Sequence, residues 1–385
     1  MAVPSPRRRV LVVDDSPFVR QVVRDVIQDS PDFEVAGEAG DGWEALRQVH
    51  ALAPDLVTLD VHMPGLDGLA ALGYVMSEAP RPVVMLSALA DGGETTMRAL
   101  ELGAVDFVRK PAVGDALDLS TLQERLLGAL RAAAAARYQS VPVLARPRAT
   151  PRHPAREGEP SARGAARQVA DADSRTAEAS PEEVLAPPRH LIVIAASTGG
   201  PRALAEVVPA LAPALAPGAG DARAALVIAQ HMPAGFTEGL ARRLEALSPF
   251  EVREARDGER VWAGRAYVAP GGVHTMLVRE GGGLWLAVRP GAPVHGVAPA
   301  ADLLFASASA ACGAACVAVV LTGMGHDGAQ GARAVRAVGG RLVVQDASTS
   351  IVHGMPLAAE QAAGCDAVAP LHAVASAVLG MLGCA

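Results

Sequence analysis

The chain reads as two parallel-sheet α/β domains joined by a long linker, with a β-rich insertion in the second domain. Three observations lead there. At 385 residues the chain exceeds what a single hydrophobic core organises. Half of the residues are hydrophobic but only 3% are aromatic, a balance suited to cores of Val, Leu, Ile and Ala between helices and buried strands. Short apolar runs also alternate with helical patterns on both sides of a stretch that has neither.

In the first part the runs are Val10 to Val13, Phe33 to Ala36, Leu56 to Leu59, Val83 to Leu86 and Asp106 to Val108. Each is followed by helical apolar spacing, as in Val19, Val22, Val23, Val26 and Ile27, which is the βα repeat of a doubly wound parallel sheet. Residues 1–138 form this first domain. Residues 139–189 contain no Phe, Trp or Ile and are filled with Pro, Arg, Ala, Ser and acidic residues. Such a segment buries too little apolar surface to offset its ordering entropy, so a disordered linker is expected. Residues 190–385 resume the pattern with Leu191 to Ala195, Ala225 to Ala229, Val317 to Leu321 and Leu342 to Gln345. Between them, the Gly-punctuated runs from Glu251 to Val288 suggest antiparallel strands or hairpins.

Bulk properties narrow the function. A net charge of −7 gives no electrostatic footprint for nucleic acid. No apolar stretch approaches the ~20 residues that span a bilayer. The apolar run after Arg7, Arg8 and Arg9 stops at Asp14 and Asp15, too soon for a signal peptide. Cys312, Cys316, Cys365 and Cys384 show no CxxC pairing or zinc-ligand spacing and read as buried hydrophobes in a reducing cytoplasm.

Polar residues at the carboxyl ends of parallel strands line the crevice where such sheets bind ligands. In the first domain these are Asp14 and Asp15, Asp60, Ser87, and Lys110 followed by Pro111. Singly, an Asp there is an ordinary helix cap and Lys-Pro an ordinary turn. Together, three carboxylates on one edge repel unless a cation joins them, and hard oxygen ligands suit Mg²⁺. Lys110 is also the chain's one lysine among its basic residues, and a compact ammonium is not interchangeable with a guanidinium.

The second domain offers a different set. The strand ending at Ala195 runs into Ala196, Ser197, Thr198, Gly199, Gly200 and Pro201, a turn suited to phosphate binding or an oxyanion hole. It lacks GxSxG and the Walker A lysine. The next strand ends in Gln230 and His231, and the Val317 to Leu321 strand runs into Gly325, His326, Asp327 and Gly328. Ser197, His231 and Asp327 supply the roles of nucleophile, base and orienting carboxylate. His326 is a rival base, but it shares a turn with the carboxylate.

The segments VVDDSPFVR, PDLVTLDVHMPGLDG, VVMLSAL and ELGAVDFVRKPA resemble the receiver domains of two-component signalling, whose fold is flavodoxin-like. The resemblance implies that Asp60 accepts a phosphoryl group and that Asp14, Asp15, Asp60 and the His62 carbonyl surround Mg²⁺. Ser87 and Lys110 would then meet the phosphoryl group. The segments IAASTGGPRAL, VIAQHMPAGFTEGLARRL, AGRAYVAPGGVH, LTGMGHDGAQGARAVRAVGG and GMPLAAE resemble the catalytic domain of the chemotaxis protein-glutamate methylesterases. That family implies a serine esterase using Ser197, His231 and Asp327, with backbone near Thr198 and Met324 assisting the oxyanion and no cofactor for the ester chemistry. It acts on glutamate methyl esters, and on glutamine, of chemoreceptors under control of a histidine kinase. Ala300 departs from the family's Ser, putting substrate contacts in question, and Asp302 is expected to cap the following helix. The rival function is a phospho-switched binding module without catalysis.

Overall fold

The computed structural model describes residues 6–87, 92–110, 119–136, 186–216 and 224–384. The first domain runs β1 (Arg8–Val13), α1 (Pro17–Gln28), β2 (Phe33–Ala39), α2 (Gly42–Leu52), β3 (Leu56–Asp60), α3 (Gly68–Glu78), β4 (Val83–Ser87), α4 (Gly92–Glu101), β5 (Asp106–Arg109) and α5 (Leu119–Ala135). Local signals start the helices: Ser16, Asp41 and Asp67 each accept a hydrogen bond from a backbone N–H of the turn they open. All strands are parallel, in the order β2-β1-β3-β4-β5. The chain therefore reverses direction between β1 and β3, and their carboxyl ends flank a crevice.

The second domain runs β6 (His190–Ala196), α6 (Gly200–Ala210), α7 (Ala212–Leu215), β7 (Ala224–Gln230), α8 (Thr237–Leu247), β8 (Glu251–Glu254), β9 (Arg265–Val268), β10 (His274–Glu280) and β11 (Gly283–Arg289). It continues with α9 (Ala301–Cys312), β12 (Cys316–Val320), α10 (Ala329–Ala337), β13 (Arg341–Gln345), α11 (Gly354–Ala363), β14 (Ala367–Ala369) and α12 (Leu371–Leu382). Seven strands form one parallel sheet in the order β14-β13-β12-β6-β7-β9-β8. β6 feeds one side of the sheet and β12 opens the other, so the switch point lies between them.

Two expectations need correction. Of the segments between Glu251 and Val288, β8 and β9 are not antiparallel but extend the main sheet in parallel. Val252, Ala266, Tyr267 and Val268 are buried there, and a four-residue buried strand shows no alternation that reveals its direction. Only β10 and β11 form an antiparallel hairpin, closed by Gly281 and Gly282, both at positive φ as a tight two-residue turn requires. The other correction concerns Asp302, which does not cap α9. The N-cap is Ala300, and Asp302 Oδ1 instead accepts from the Gly331 N–H at the start of α10 (2.7 Å).

The two domains meet. Met97 and Leu100 of α4 and Phe107 of β5 share one apolar cluster with Phe236, Leu240 and Leu244 at α8. The Phe107 and Phe236 rings lie 4.8 Å apart, and Glu101 pairs with Arg243. Ala186 belongs to the second domain, its carbonyl accepting from the Ala263 N–H (3.0 Å). Residues 139–185 lie outside the described residues. No helix among the described residues is long and apolar enough to cross a membrane.

Gly331 marks where α9 and α10 press together: a Cβ there would sit 2.5 Å from Phe305 Cβ. Gly331→Ala is expected to destabilise the second domain by about 1–3 kcal/mol. An unchanged midpoint in urea would mean that the two helices part freely.

Candidate active site

Backbone hydrogen bonds gather the strand ends of the second domain. Ser197 N–H donates to Thr322 O, His231 N–H to Ala196 O, and Leu321 N–H to Ala195 O, at 2.9–3.0 Å. These bonds continue the ladder past the last paired residues of β6, β7 and β12, so the residues just beyond each strand stay in register. Gly199, at φ 78°, then turns the chain into α6. The buried Gln230 amide donates to Ser197 O (2.9 Å), and a Cβ on Gly200 would lie 2.0 Å from Gln230 Oε1. The second glycine is there to admit that amide.

Asp327 is the most heavily bonded group of the site. Its Oδ2 accepts from His231 Nε2 (2.7 Å) and Ala301 N–H (2.6 Å), and its Oδ1 from the Asp302 and Gly328 N–H groups (both 3.0 Å). Burial pushes this carboxyl up. His231 and the N–H groups at the start of α9 outweigh that and hold it below the usual carboxylate range. With Nε2 committed to Asp327, Nδ1 is the ring nitrogen left to exchange a proton. His326 turns elsewhere, its Nε2 lying 3.1 Å from His295 Nδ1.

Ser197, Thr198, His231, Met324 and Asp327 line a cavity of about 570 Å³. No hydrogen bond joins the Ser197 hydroxyl to the imidazole among the described residues. The opposite wall comes from the first domain, through Asp106, Phe107, Glu124 and Arg125. Thr198 Oγ1 donates to Asp106 Oδ2 across the boundary at 2.6 Å. Burial lifts the Asp106 carboxyl above its usual range, and the Thr198 bond only partly opposes this. Ala300 is fully buried, with its N–H donating to His274 Nδ1 (3.2 Å). Its missing hydroxyl therefore concerns the start of α9 rather than contact with a substrate in the cavity.

At the crevice of the first domain, Lys110 Nζ lies 2.8 Å from Asp14 Oδ2 and 2.7 Å from Asp60 Oδ1. Carboxylate oxygens of Asp14, Asp15 and Asp60 lie within 4.8 Å of one another. Asp60 Oδ2 is buried without a hydrogen-bond partner, as a metal ligand would be. Burial pushes Asp60 up to about 6 and lifts Asp14 as well, with Lys110 opposing both shifts. Desolvation works against the Lys110 charge, but the two carboxylates prevail and raise its pKa. His62 turns its side chain to solvent while its N–H donates to Asp60 Oδ1 (3.2 Å). Gly68 lets the chain pass over the site, since a Cβ there would lie 1.9 Å from Asp60 O. The buried Ser87 hydroxyl lies 3.4 Å from Thr96 Oγ1 on α4.

Sequence reasoning missed Asp106, Gln230, Thr322 and Gln345. Thr322 is buried, with its N–H on Gln345 Oε1 (2.8 Å) and its hydroxyl on Thr198 O (3.0 Å). A buried Gln or Thr at the end of an apolar strand was the available signal for three of them. Asp106 opens a strand, and its partner lies in the other domain.

Comparisons with known proteins find a match for each of the two domains. A family model described as CheB methylesterase matches residues 192–378, and one described as response regulator receiver domain matches residues 10–121. A protein-glutamate methylesterase/protein-glutamine glutaminase of Symbiobacterium thermophilum is 42% identical over 378 residues, 97% of each chain. The protein of that name from Pyrococcus abyssi is 39% identical over 372 residues, 96% of this chain and 92% of its own. The solved Thermotoga maritima CheB methylesterase catalytic domain covers 51% of this chain and 98% of its own, at 35% identity and a TM-score of 0.47.

Because Lys110 holds down the Asp60 carboxyl, Lys110→Met is expected to move its titration midpoint above about 6 in metal-free protein. Carbon-detected NMR of the side chain measures this. A midpoint that stays or falls would show that the ammonium does not govern this charge.

Proposed function

The chain belongs to the CheB methylesterase family, and from that premise we propose that it hydrolyses glutamate methyl esters on chemoreceptors under phosphorylation control. The observation that carries the reading is the His231–Asp327 hydrogen bond at the switch point where Ser197 opens into the cavity. His231 Nδ1 takes the Ser197 proton as Oγ attacks the ester carbonyl, and Asp327 steadies the ring as it becomes charged. Backbone N–H groups near Thr198 and Met324 receive the oxyanion. The proton then passes from His231 to the departing methanol. Water, deprotonated by the same nitrogen, hydrolyses the acyl-serine and frees the glutamate. With ammonia leaving in place of methanol, the same steps deamidate glutamine.

In the first domain Asp60 is the phosphoacceptor. Asp14, Asp15, Asp60 and the His62 carbonyl would hold Mg²⁺, whose bound charge offsets that of the incoming phosphoryl group. Lys110 supplies a second positive charge, and Ser87 receives a phosphoryl oxygen. The phosphodonor is a histidine kinase of the chemotaxis type, and the protein works in the cytoplasm.

Restraint of the esterase is supported by the contact between the domains. Asp106 holds the Thr198 hydroxyl beside the nucleophile, and Phe107 packs on Phe236. Ser87 reaches Thr96 on α4, the helix that lies against α8. A new charge at Asp60 that draws Ser87 inward thus acts on the element carrying the contact, biasing a two-state interface.

Methanol release from methylated chemoreceptor tests the chemistry. The full chain with a small phosphodonor is expected to release it, and Ser197→Ala to lose about 10³-fold or more. Phospho-dependent receptor binding with no release would favour the non-catalytic module. Asp106→Ala removes a part-buried hydrogen bond of about 1 to 2 kcal/mol, so the unphosphorylated rate is expected to rise roughly 5- to 30-fold. An unchanged rate would remove Asp106 from the restraint. Chelating Mg²⁺ is expected to abolish stimulation by the phosphodonor and leave basal release intact. Stimulation that survives chelation would count against the metal.

A further inference from the structure

Beside Asp327 lies a cluster that the esterase chemistry leaves unused. Val294 and Val297 exchange backbone hydrogen bonds of 3.1 and 3.0 Å across His295 and Gly296, whose φ values are 54° and 77°. Both central residues of this tight turn are left-handed, where Asn or Gly is at ease and His is strained. The turn brings His295 Nε2 to 3.0 Å from Asp302 Oδ2 and His295 Nδ1 to 3.1 Å from His326 Nε2. One ligand atom each from His295, Asp302 and Asp327 lies within 4.8 Å of the others. Asp302 and Asp327 are both buried, and two carboxylates so close repel. The ion-pair partners of this pair among the described residues are imidazoles, His295 for Asp302 and His231 for Asp327. His295 and His326 line the same cavity as Ser197, so the cluster is reached from it.

We propose that these side chains form a site for a borderline dication of the Zn²⁺ class and that the bound ion restrains the esterase. His295 Nε2, Asp302 Oδ2 and an Asp327 oxygen are the ligands, and His326 holds His295 from behind. An imidazole among the donors favours Zn²⁺ over Mg²⁺ or Ca²⁺. Tetrahedral bonds of about 2.1 Å set neighbouring ligand atoms about 3.4 Å apart. His295 and Asp302 therefore need to part by only a few tenths of an ångström. The ion replaces the proton that His295 Nε2 shares with Asp302. His295 then carries its proton on Nδ1, where it donates to His326, the outer partner that fixes a metal-binding imidazole. Asp302 has one oxygen engaged by Gly331 N–H and the other free to turn from His295 to the ion. Asp327 already serves His231, and an ion drawing on the same carboxylate loosens its hold on the imidazole. This restraint rests on the esterase reading, whereas binding of the ion does not.

Titration calorimetry with Zn²⁺ on the full chain, with Mg²⁺ saturating, tests the site without reference to activity. His295→Asn is the informative variant, because Asn suits the left-handed turn while its amide is a poor zinc ligand. The site predicts a binding step that His295→Asn weakens at least tenfold and His326→Ala about 10- to 100-fold, with circular dichroism unchanged. Identical isotherms for the three proteins would overturn it. In the esterase assay Zn²⁺ is expected to suppress methanol release from wild type over its calorimetric range and to spare His295→Asn. Equal suppression of both would overturn the restraint.

Discussion

Four hydrogen bonds converge on the Asp327 carboxylate, from His231, Ala301, Asp302 and Gly328. A buried charge stripped of such partners costs several kcal/mol, so the segments that donate to it are obliged to meet. They are distant in sequence: the end of β7, the start of α9 and the turn after β12. α9 in turn supports the β10–β11 hairpin, whose Leu277, Leu284 and Leu286 are buried in the same cluster as Leu304 and Phe305. The arrangement also explains how α9 begins without a capping side chain. Asp327 satisfies its first N–H groups from another part of the chain, so Ala300 need contribute nothing.

The two domains solve the same topological problem with opposite electrostatics. Each places its polar residues where the winding of a parallel sheet reverses. The first concentrates three carboxylates around one ammonium, and burial keeps Asp60 and Asp14 reluctant to ionise. The second lines one cavity with a neutral hydroxyl, an imidazole and one carboxylate that accepts four hydrogen bonds. Their contact is apolar at Phe107 and Phe236 and polar at Asp106 and Thr198. Apolar packing and one hydrogen bond thus tie the two domains together beside the cavity.

Much of this was legible along the chain because apolar runs ending in polar residues are local signals. Leu191 to Ala195 announces a buried strand, and Ser197 two residues beyond it must lie at the sheet edge. Lys110 stood out by composition, as the chain's lysine among arginines. Strand direction was less legible: β8 and β9 are four residues each, and their direction follows from the route of the connecting chain.

The sequence by itself determined two α/β domains, the order of their strands along the chain and the residue types at each strand end, because hydrophobic periodicity and turn chemistry act over a few neighbours. Only the tertiary structure decided that Asp106 holds Thr198, that Asp302 binds α10 instead of capping α9, and that His295 meets His326. Those partners are separated by 92, 29 and 31 positions. Hydrogen bonds of that kind leave no periodic trace, since their distances are set by how whole elements come together.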